Sequence, residues 1–412
     1  MITKSKVPQI RFKGFKEEWT KNKLKELTDI LRCGIASTPQ YVDDGVVFLS
    51  SQNVTNSGKI NLEKFNYISE EYYKKISKNA KLLKGDILYT RVGAGFGNST
   101  VFPYDGDYGV YVSLTHIRTN KNLNNKFLNH LLNSPICKNQ AENGVFQGGG
   151  VPNLNVKIVE NFNIVYPKIE DEQRKIGNYF QQLDKLIEQK EKKYQKLKQF
   201  KKAMLDKMFP KNGADIPEIR FKGFSEKWKF GIVSDLLIER NIQMPKNEQY
   251  PLMAFVAYKG VTHKGDRYNR EFLVNDEENK KYKQTELGDF IYSSNNLETG
   301  SIGLNNYGCA TISPVYSIFK MTECGVSNFV GCLLVRKHFI NQMIKWRQGV
   351  VYGQWRIHEI DFLKIEVKFP TIEEQTKIGN YFQKLDKQID LQQKELEKLK
   401  NIKKASLSKM FV

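Results

Sequence analysis

The sequence predicts an α+β protein: two similar mixed α/β domains separated by two long helices, which form an antiparallel coiled coil with a pseudo-twofold relation. Three observations carry that expectation. Much of the chain is a duplicated cassette, one member of each copy has the apolar spacing of a helical seam, and the stretches between are dense in short strand signals. Residues 7–19 (VPQIRFKGFKEEW) return as 216–228 (IPEIRFKGFSEKW), and 173–209 return as 375–411 with roughly 23 of 37 positions identical. Between the copies lie about 20–165 and 229–368, similar in length and different in residues, as expected of one scaffold carrying two different heads. The expected boundaries are a first head at 1–167, a central helix at 168–211, a second head at 212–369 and a C-terminal helix at 370–412.

In the heads, Val46–Ser50, Asp86–Thr90, Tyr111–Ile117 and Asp289–Ser293 read as strands, being short, β-branched or aromatic, and bounded by Gly, Asn or Asp. Lys126–Leu132 and Phe329–Met343 read as helices. Residues 85–91 (GDILYTR) align with 288–294 (GDFIYSS), and 153–167 align with 356–370, so the heads are expected to share a fold and differ in their loops.

The helices show the clearest periodicity. Ile176, Phe180, Leu183, Ile187, Tyr194 and Leu197 are matched by Ile378, Phe382, Leu385, Ile389, Leu396 and Leu399, in steps of four and three. Lys190 with Gln392, and Lys201 with Lys403, are polar seam positions that trade stability for alignment, while Phe200 and Ile402 suggest a shift of the apolar stripe. Each helix follows a proline, Pro167 or Pro370, and the second has the capping pattern Thr371-x-x-Glu374. A length of about 38 residues gives roughly 57 Å. Gly177 and Gly379, each costing about 1 kcal/mol relative to Ala in a helix, point to close packing of another backbone. The segment 210–217, with two prolines and a glycine, reads as the turn between units.

Composition narrows the function. A formal charge of +20 and a pI near 9.4 favour a polyanionic partner. Five cysteines, Cys33, Cys137, Cys309, Cys324 and Cys332, have neither CxxC spacing nor an even count, which fits a reducing cytoplasm rather than a zinc ribbon or disulfide framework. No apolar run approaches the roughly 20 residues of a membrane span, and the N-terminus lacks a signal-peptide core. The five histidines show no metal spacing, no GxxxxGK[ST] or Asn-Pro-Pro-Tyr motif occurs, and the glycines near Gly93 lack the dinucleotide fingerprint. Asp361, Glu366 and Lys368 imitate a nuclease metal site, but they fall on the expected exit strand and the other head has no equivalent. No catalytic residue, metal or cofactor is expected.

Candidate DNA-contacting residues lie in two loops of each head. In the first head they are Arg91, Gly93, Gly95 and Asn98, then Gln147 and Asn153; in the second, Ser294, Asn295 and Asn296, then Tyr352, Gln354 and Arg356. Glycines let backbone N–H groups approach a phosphate, Asn, Gln and Arg match base edges bidentately, and Tyr stacks. The second head departs from the first in having Ser294 where Arg91 stands and in lacking the glycine triplet at 148–150.

The repeated IRFKGF…W opening, the GDILYTR strand, and an exit proline followed by ExQxKIGNYF and a lysine-rich helix together resemble the specificity subunit of a type I restriction–modification system, over essentially the whole chain. That resemblance implies two target-recognition domains, each reading half of a split sequence in double-stranded DNA. It also implies helices that hold them at a set spacing, two docked methyltransferase (modification) subunits and a joining restriction/translocase subunit. The competing readings are a self-sufficient DNA-modifying enzyme with unfamiliar catalytic residues and a coiled-coil protein scaffold.

Overall fold

The structure is a computed structural model that describes residues 7–37, 39–55, 58–145, 150–211, 213–263, 280–350 and 354–412. The chain divides into two compact units, one of residues 1–191 with 394–412 and the other of residues 192–393, so that each unit takes part of both long helices.

The first unit contains β1 (Thr20–Lys23), β2 (Thr28–Cys33), β3 (Tyr41–Val42), β4 (Val46–Leu49), β5 (Asn66–Ile68), α1 (Glu70–Ser77), β6 (Ile87–Thr90), β7 (Ser99–Val101), β8 (Tyr108–Val110), β9 (Leu114–Thr119), α2 (Asn125–Leu132), α3 (Pro135–Gly144), α4 (Val156–Glu160), β10 (Asn163–Tyr166) and the start of α5 (Glu170–Lys207). An antiparallel sheet in the order β2-β9-β6-β7 forms its centre, β3-β5-β4-β8 forms a second sheet, and β1 pairs with β10. Asn124 caps α2 by accepting from the Lys126 and Phe127 N–H groups, and Pro135 opens α3 where no donor is needed. The core under the central sheet joins Trp19, Tyr89, Phe127 and Phe162 to Ile176 and Phe180 of α5 and to Phe411. Burying such side chains stabilises by about 1.5–3 kcal/mol each.

The second unit repeats that plan. It holds β11 (Lys229–Ile232), β12 (Leu237–Glu239), β13 (Gln243–Met244), β14 (Ala254–Val256), β15 (Gly260–Thr262), β16 (Tyr282–Thr285), β17 (Phe290–Tyr292), β18 (Ile302–Leu304), β19 (Ala310–Ile312), β20 (Ser317–Met321), α6 (Ser327–Leu334), α7 (Lys337–Ile344), β21 (Gln348–Val350), β22 (Gln354–Arg356), α8 (Glu359–Leu363), β23 (Glu366–Phe369) and the start of α9 (Ile372–Lys409). Its central sheet, β12-β20-β17-β18, and its ribbon, β11 with β23, match their counterparts strand for strand. The remainder differs: β13-β16-β19 and the β14-β15 hairpin stand where the first unit has its second sheet. Mixed α/β units built twice, as the sequence predicts, therefore share a centre and diverge at the edges.

Both long helices run 38 residues. Within the first unit, Tyr179 meets Ser406 (3.1 Å), Asp184 meets Lys403 (2.5 Å) and Lys190 meets Glu395 (2.5 Å), so one helix rises as the other falls. Within the second, Tyr194 meets Gln393 (3.3 Å) and Lys201 pairs with Asp386 in the same antiparallel sense. Of the predicted seam residues, Ile176, Phe180, Leu183, Ile378, Phe382 and Leu385 are buried, most of them in the globular cores, whereas Ile187, Leu197, Ile389 and Leu399 are half-buried.

Three expectations are corrected. Phe329–Met343 is two helices, because Arg336 adopts an extended conformation between α6 and α7. Phe200 and Ile402 are exposed, so the stripe does not shift onto them. Glu374 does not close a capping box: its carboxylate accepts from Arg220 Nε (2.6 Å) and Nη2 (2.7 Å). Gly177 and Gly379 do sit against backbone, since a Cβ at either would lie 2.9 Å from the amide nitrogen of Phe127 or Phe329.

Candidate nucleic-acid interface

In each unit the candidate loops meet beyond the end of the central strand, β6 or β17. In the first unit the 91–98 loop joins β6 to β7 and is pinned to the 150–155 segment. Val92 bridges Asn153, the Gly93 N–H donates to the Pro152 carbonyl (3.0 Å), and the Leu154 N–H donates to the Arg91 carbonyl (2.8 Å). Gly93, at φ +92°, has nothing within 4 Å of a notional Cβ, so its face is open. Gly95 is half-buried and Asn153 exposed.

Two predicted contacts take a different place. Arg91 donates from Nε to the Leu154 carbonyl (2.9 Å), from Nη1 to the Val112 carbonyl (2.7 Å) and from Nη2 to Asn153 Oδ1 (3.0 Å). Two of its five N–H donors thus clamp the two loops together, and a third ties them to the turn between β8 and β9. Asn98 is buried, and its Oδ1 accepts from Lys138 Nζ (3.0 Å), a cation whose pKa burial pulls down with Lys403 adding to the effect. Neither side chain is presented as a free reader. Gln147 lies outside the described residues.

The second unit solves the same junction with other atoms. Ser294 Oγ accepts from the Ile357 N–H (3.0 Å), and Asn295 Oδ1 accepts from the Trp355 N–H (2.6 Å), tying the 293–301 loop to β22. Ile357 occupies the position of Leu154 in the repeat, so a hydroxyl does here what the Arg91 backbone and guanidinium do in the first unit. Asn296 is exposed; so is Arg356, which approaches Glu359 at 3.7 Å. Gln354 lies in β22, and Tyr352 is outside the described residues.

Sequence reasoning missed Tyr258. It sits at the turn of the β14-β15 hairpin in the left-handed region, at φ +61°, where a non-glycine residue is uncommon. Its N–H donates to the Gly300 carbonyl (3.0 Å), and a Cβ on Gly300 would lie 2.4 Å from its ring. The residue is nonetheless 83% exposed, and Trp355, held to the same loop, is 49% exposed. The signal was a Lys-Gly pair following Tyr258 between two β-rich runs, which marks a tight turn.

The scaffold behind these loops is anchored identically in both units. Arg11 donates to Glu172 (2.6 and 2.8 Å) as Arg220 does to Glu374. Gln173 accepts from the Asn124 N–H and donates to the Asn122 and Pro167 carbonyls; Gln375 repeats this with Val326, Cys324 and Pro370. The family model for the type I restriction modification DNA specificity domain matches residues 16–199 and 225–401, one match per repeat. The chain belongs to the type I restriction–modification DNA specificity family. Specificity subunits of these systems are not the catalytic chains. One similar member of the family is the putative type I restriction enzyme MjaX specificity subunit of Methanocaldococcus jannaschii, 23% identical over 403 residues, covering 94% of this chain and 91% of that protein. Another is the MjaVIII specificity subunit of the same organism, 24% identical over 275 residues and covering 63% of each. Among solved structures, the type I S subunit from M. genitalium aligns over 98% of this chain and 99% of its own with a TM-score of 0.66 at 17% identity, a likeness of fold. Among the described residues of this specificity chain, no helix is long and apolar enough to cross a membrane.

Proposed function

We propose that the chain reads a bipartite target in double-stranded DNA, one half-site per unit, and docks methyltransferase and restriction/translocase subunits that carry out the chemistry. The observation that carries this reading is the pair of loop clusters: the same scaffold, anchored by the same Arg-Glu and Gln contacts, ends in different hydrogen-bonding groups in the two units. In the first, the open face at Gly93, the half-buried Gly95 and the exposed Asn153 approach DNA, with Arg91 and Asn98 as positioning residues. In the second, Asn295, Asn296 and Arg356 supply polar groups while Tyr258 and Trp355 supply stacking surface, and Gln354 is kept on sequence grounds. Gln147 and Tyr352 stay in the proposal on sequence grounds. Phosphates are neutralised by the lysine excess, and the two long helices, pairing as a coiled coil, fix the number of unread base pairs.

The test exchanges residues 20–165 for the corresponding segment of another specificity chain and sequences methylated adenines in a host with the modification subunit. One half of the target changes and the other stays. A change in both halves, or in neither, rejects the assignment of one half-site to each unit. A protein scaffold is separated from this reading by duplex-DNA binding that falls steeply with salt, because phosphate contacts release counterions.

A further inference from the structure

Glu298 lies in the loop between β17 and β18, beside the exposed Asn295 and Asn296. That loop is fixed at several points. The Trp355 N–H donates to Asn295 Oδ1 (2.6 Å), the Tyr258 N–H donates to the Gly300 carbonyl (3.0 Å), and Leu297 is buried in the core of the unit. Between these points Glu298 faces outward, its side chain 62% exposed. Its Oε2 accepts from Arg347 Nη1 (2.9 Å), and the Arg347 side chain is only 10% exposed. Arg347 Nε and Nη2 are buried without an acceptor, so Glu298 is the one hydrogen-bond partner of this guanidinium among the described residues. An ordinary surface ion pair has both partners in water and holds neither in place. Here the cation is sunk beneath the loop and grips one carboxylate oxygen, while no described residue donates to the other, Oε1.

Counting from β6 and from the start of α3, the first unit has Gly95 and Val145 at these two places. Acid and guanidinium thus occur together in one unit and are both missing from the other, as expected of a device that distinguishes the heads rather than of their shared scaffold. A carboxylate brought up to a polyanion is repelled by the phosphates and gains only where it meets a donor. Base edges supply such donors as amino groups: cytosine N4 and adenine N6 in the major groove, guanine N2 in the minor groove, which is about 6 Å wide. Adenine N6 sits beside N7, an acceptor that opposes a carboxylate, whereas cytosine shows no acceptor of its own beside N4. We propose that Glu298 is a specificity-determining residue of the second unit, accepting through Oε1 from the N4 amino group of a cytosine, and that Arg347 is the positioning residue that holds it. The proposal rests on the DNA reading above and names one base chemistry within it.

The test uses the full chain with its modification subunit and sequences methylated adenines for the native chain, for the exchange of residues 20–165, and for Glu298→Gln. The half-site that survives the exchange belongs to the second unit and should contain a cytosine–guanine pair. Glutamine keeps an oxygen for Arg347 and points an NH2 donor outward, which suits thymine O4, the acceptor that stands where cytosine has its amino group. Glu298→Gln should therefore move one position of that half-site from cytosine toward thymine, a shift in preference of at least about fivefold, and leave the other half-site intact. Arg347→Met should relax the same position and no other, whereas a purely structural loss lowers methylation at every sequence alike. If Glu298→Gln methylates too little to sequence, competition between duplexes carrying cytosine–guanine or uracil–adenine at that position reads the same preference, without the thymine methyl group. A second half-site lacking a cytosine–guanine pair, native preference retained by Glu298→Gln at every position, or a change at an adenine–thymine pair instead overturns the proposal while one half-site per unit still stands. An Arg347→Met chain weakened equally at all positions overturns the role given to Arg347. An exchange of residues 20–165 that alters both half-sites, or neither, rejects the DNA reading itself and the proposal with it.

Discussion

Glu172 lies fully buried with its two oxygens on Arg11 and one also 3.4 Å from the Trp19 indole nitrogen, and this arrangement closes the first unit over the start of α5. Removing one partner of such a pair strands the other without solvent, so Glu172→Ala should cost about 3 kcal/mol, whereas the apolar double replacement Arg11→Met with Glu172→Leu should cost far less. Urea unfolding followed by Trp19-sensitive fluorescence checks this, and a single-variant loss equal to the double-variant loss would refute it. Both halves of this contact were on display in the sequence, arginine inside one repeated segment and glutamate directly before the other, but nothing there joins residues 161 apart. His130 carries a pH prediction. Burial, then Lys403 and Lys126, push its pKa down to about 3, below the 6.5 of an ordinary histidine; Asp184, at 4.0 Å, is too weak a counterion to reverse this. The folded state therefore refuses a proton that the unfolded chain accepts, so stability is complete above about pH 6.5 and is lost as pH falls from there toward 3. The second unit has Cys332 at that position, its thiol pushed up to about 12 by burial, and is spared this loss. Hydrogen exchange between pH 7 and 5 should show amides of the first unit losing protection first, and His130→Gln should flatten that trend.

At the level of elements, the two glycines in the first turns of α5 and α9 were legible because a residue that weakens a helix needs a packing reason. Gly177→Ala and Gly379→Ala each drive a Cβ against a backbone nitrogen and a neighbouring Cβ, Lys126 or Asn328, at 2.9 Å. Each should destabilise its own unit by about 1–3 kcal/mol in spite of the better helix propensity of alanine, measurable as a lowered thermal midpoint. Stabilisation by either substitution would show that the contact yields. The break between α6 and α7 was illegible locally, because Val335-Arg336 contains no helix breaker. It was visible through the repeat: the matching Ser134-Pro135 announces a new helix in the first unit. The loops were legible only as polar and glycine-rich. Which of their side chains face outward depended on partners far away in sequence, as Arg91 and Asn98 show by turning inward to Leu154, Val112 and Lys138.

For the molecule as a whole, the repeat was decisive because duplicated anchors must make duplicated contacts. Asp184 with Lys403 and Asp386 with Lys201 are the same two repeat positions with the helices exchanged. Such reciprocity means that each helix supplies one part to each unit, so neither helix can be lengthened alone without shifting the anchors at one end. Adding seven residues after Lys190 and seven after Gln392 preserves the apolar phase of both helices and leaves Glu172, Gln173, Glu374 and Gln375 in their own units. If the helices set the spacing, the modification subunit carrying the lengthened chain methylates the same two half-sites with a longer unread spacer, by up to about three base pairs, since seven helical residues add about 10 Å and a base pair spans about 3.4 Å. Adding seven residues to one helix only should abolish DNA recognition instead, because the paired side chains fall out of register. An unchanged spacer in the doubly lengthened chain, with folding confirmed by an unaltered melting profile, would show that something other than helix length holds the half-sites apart.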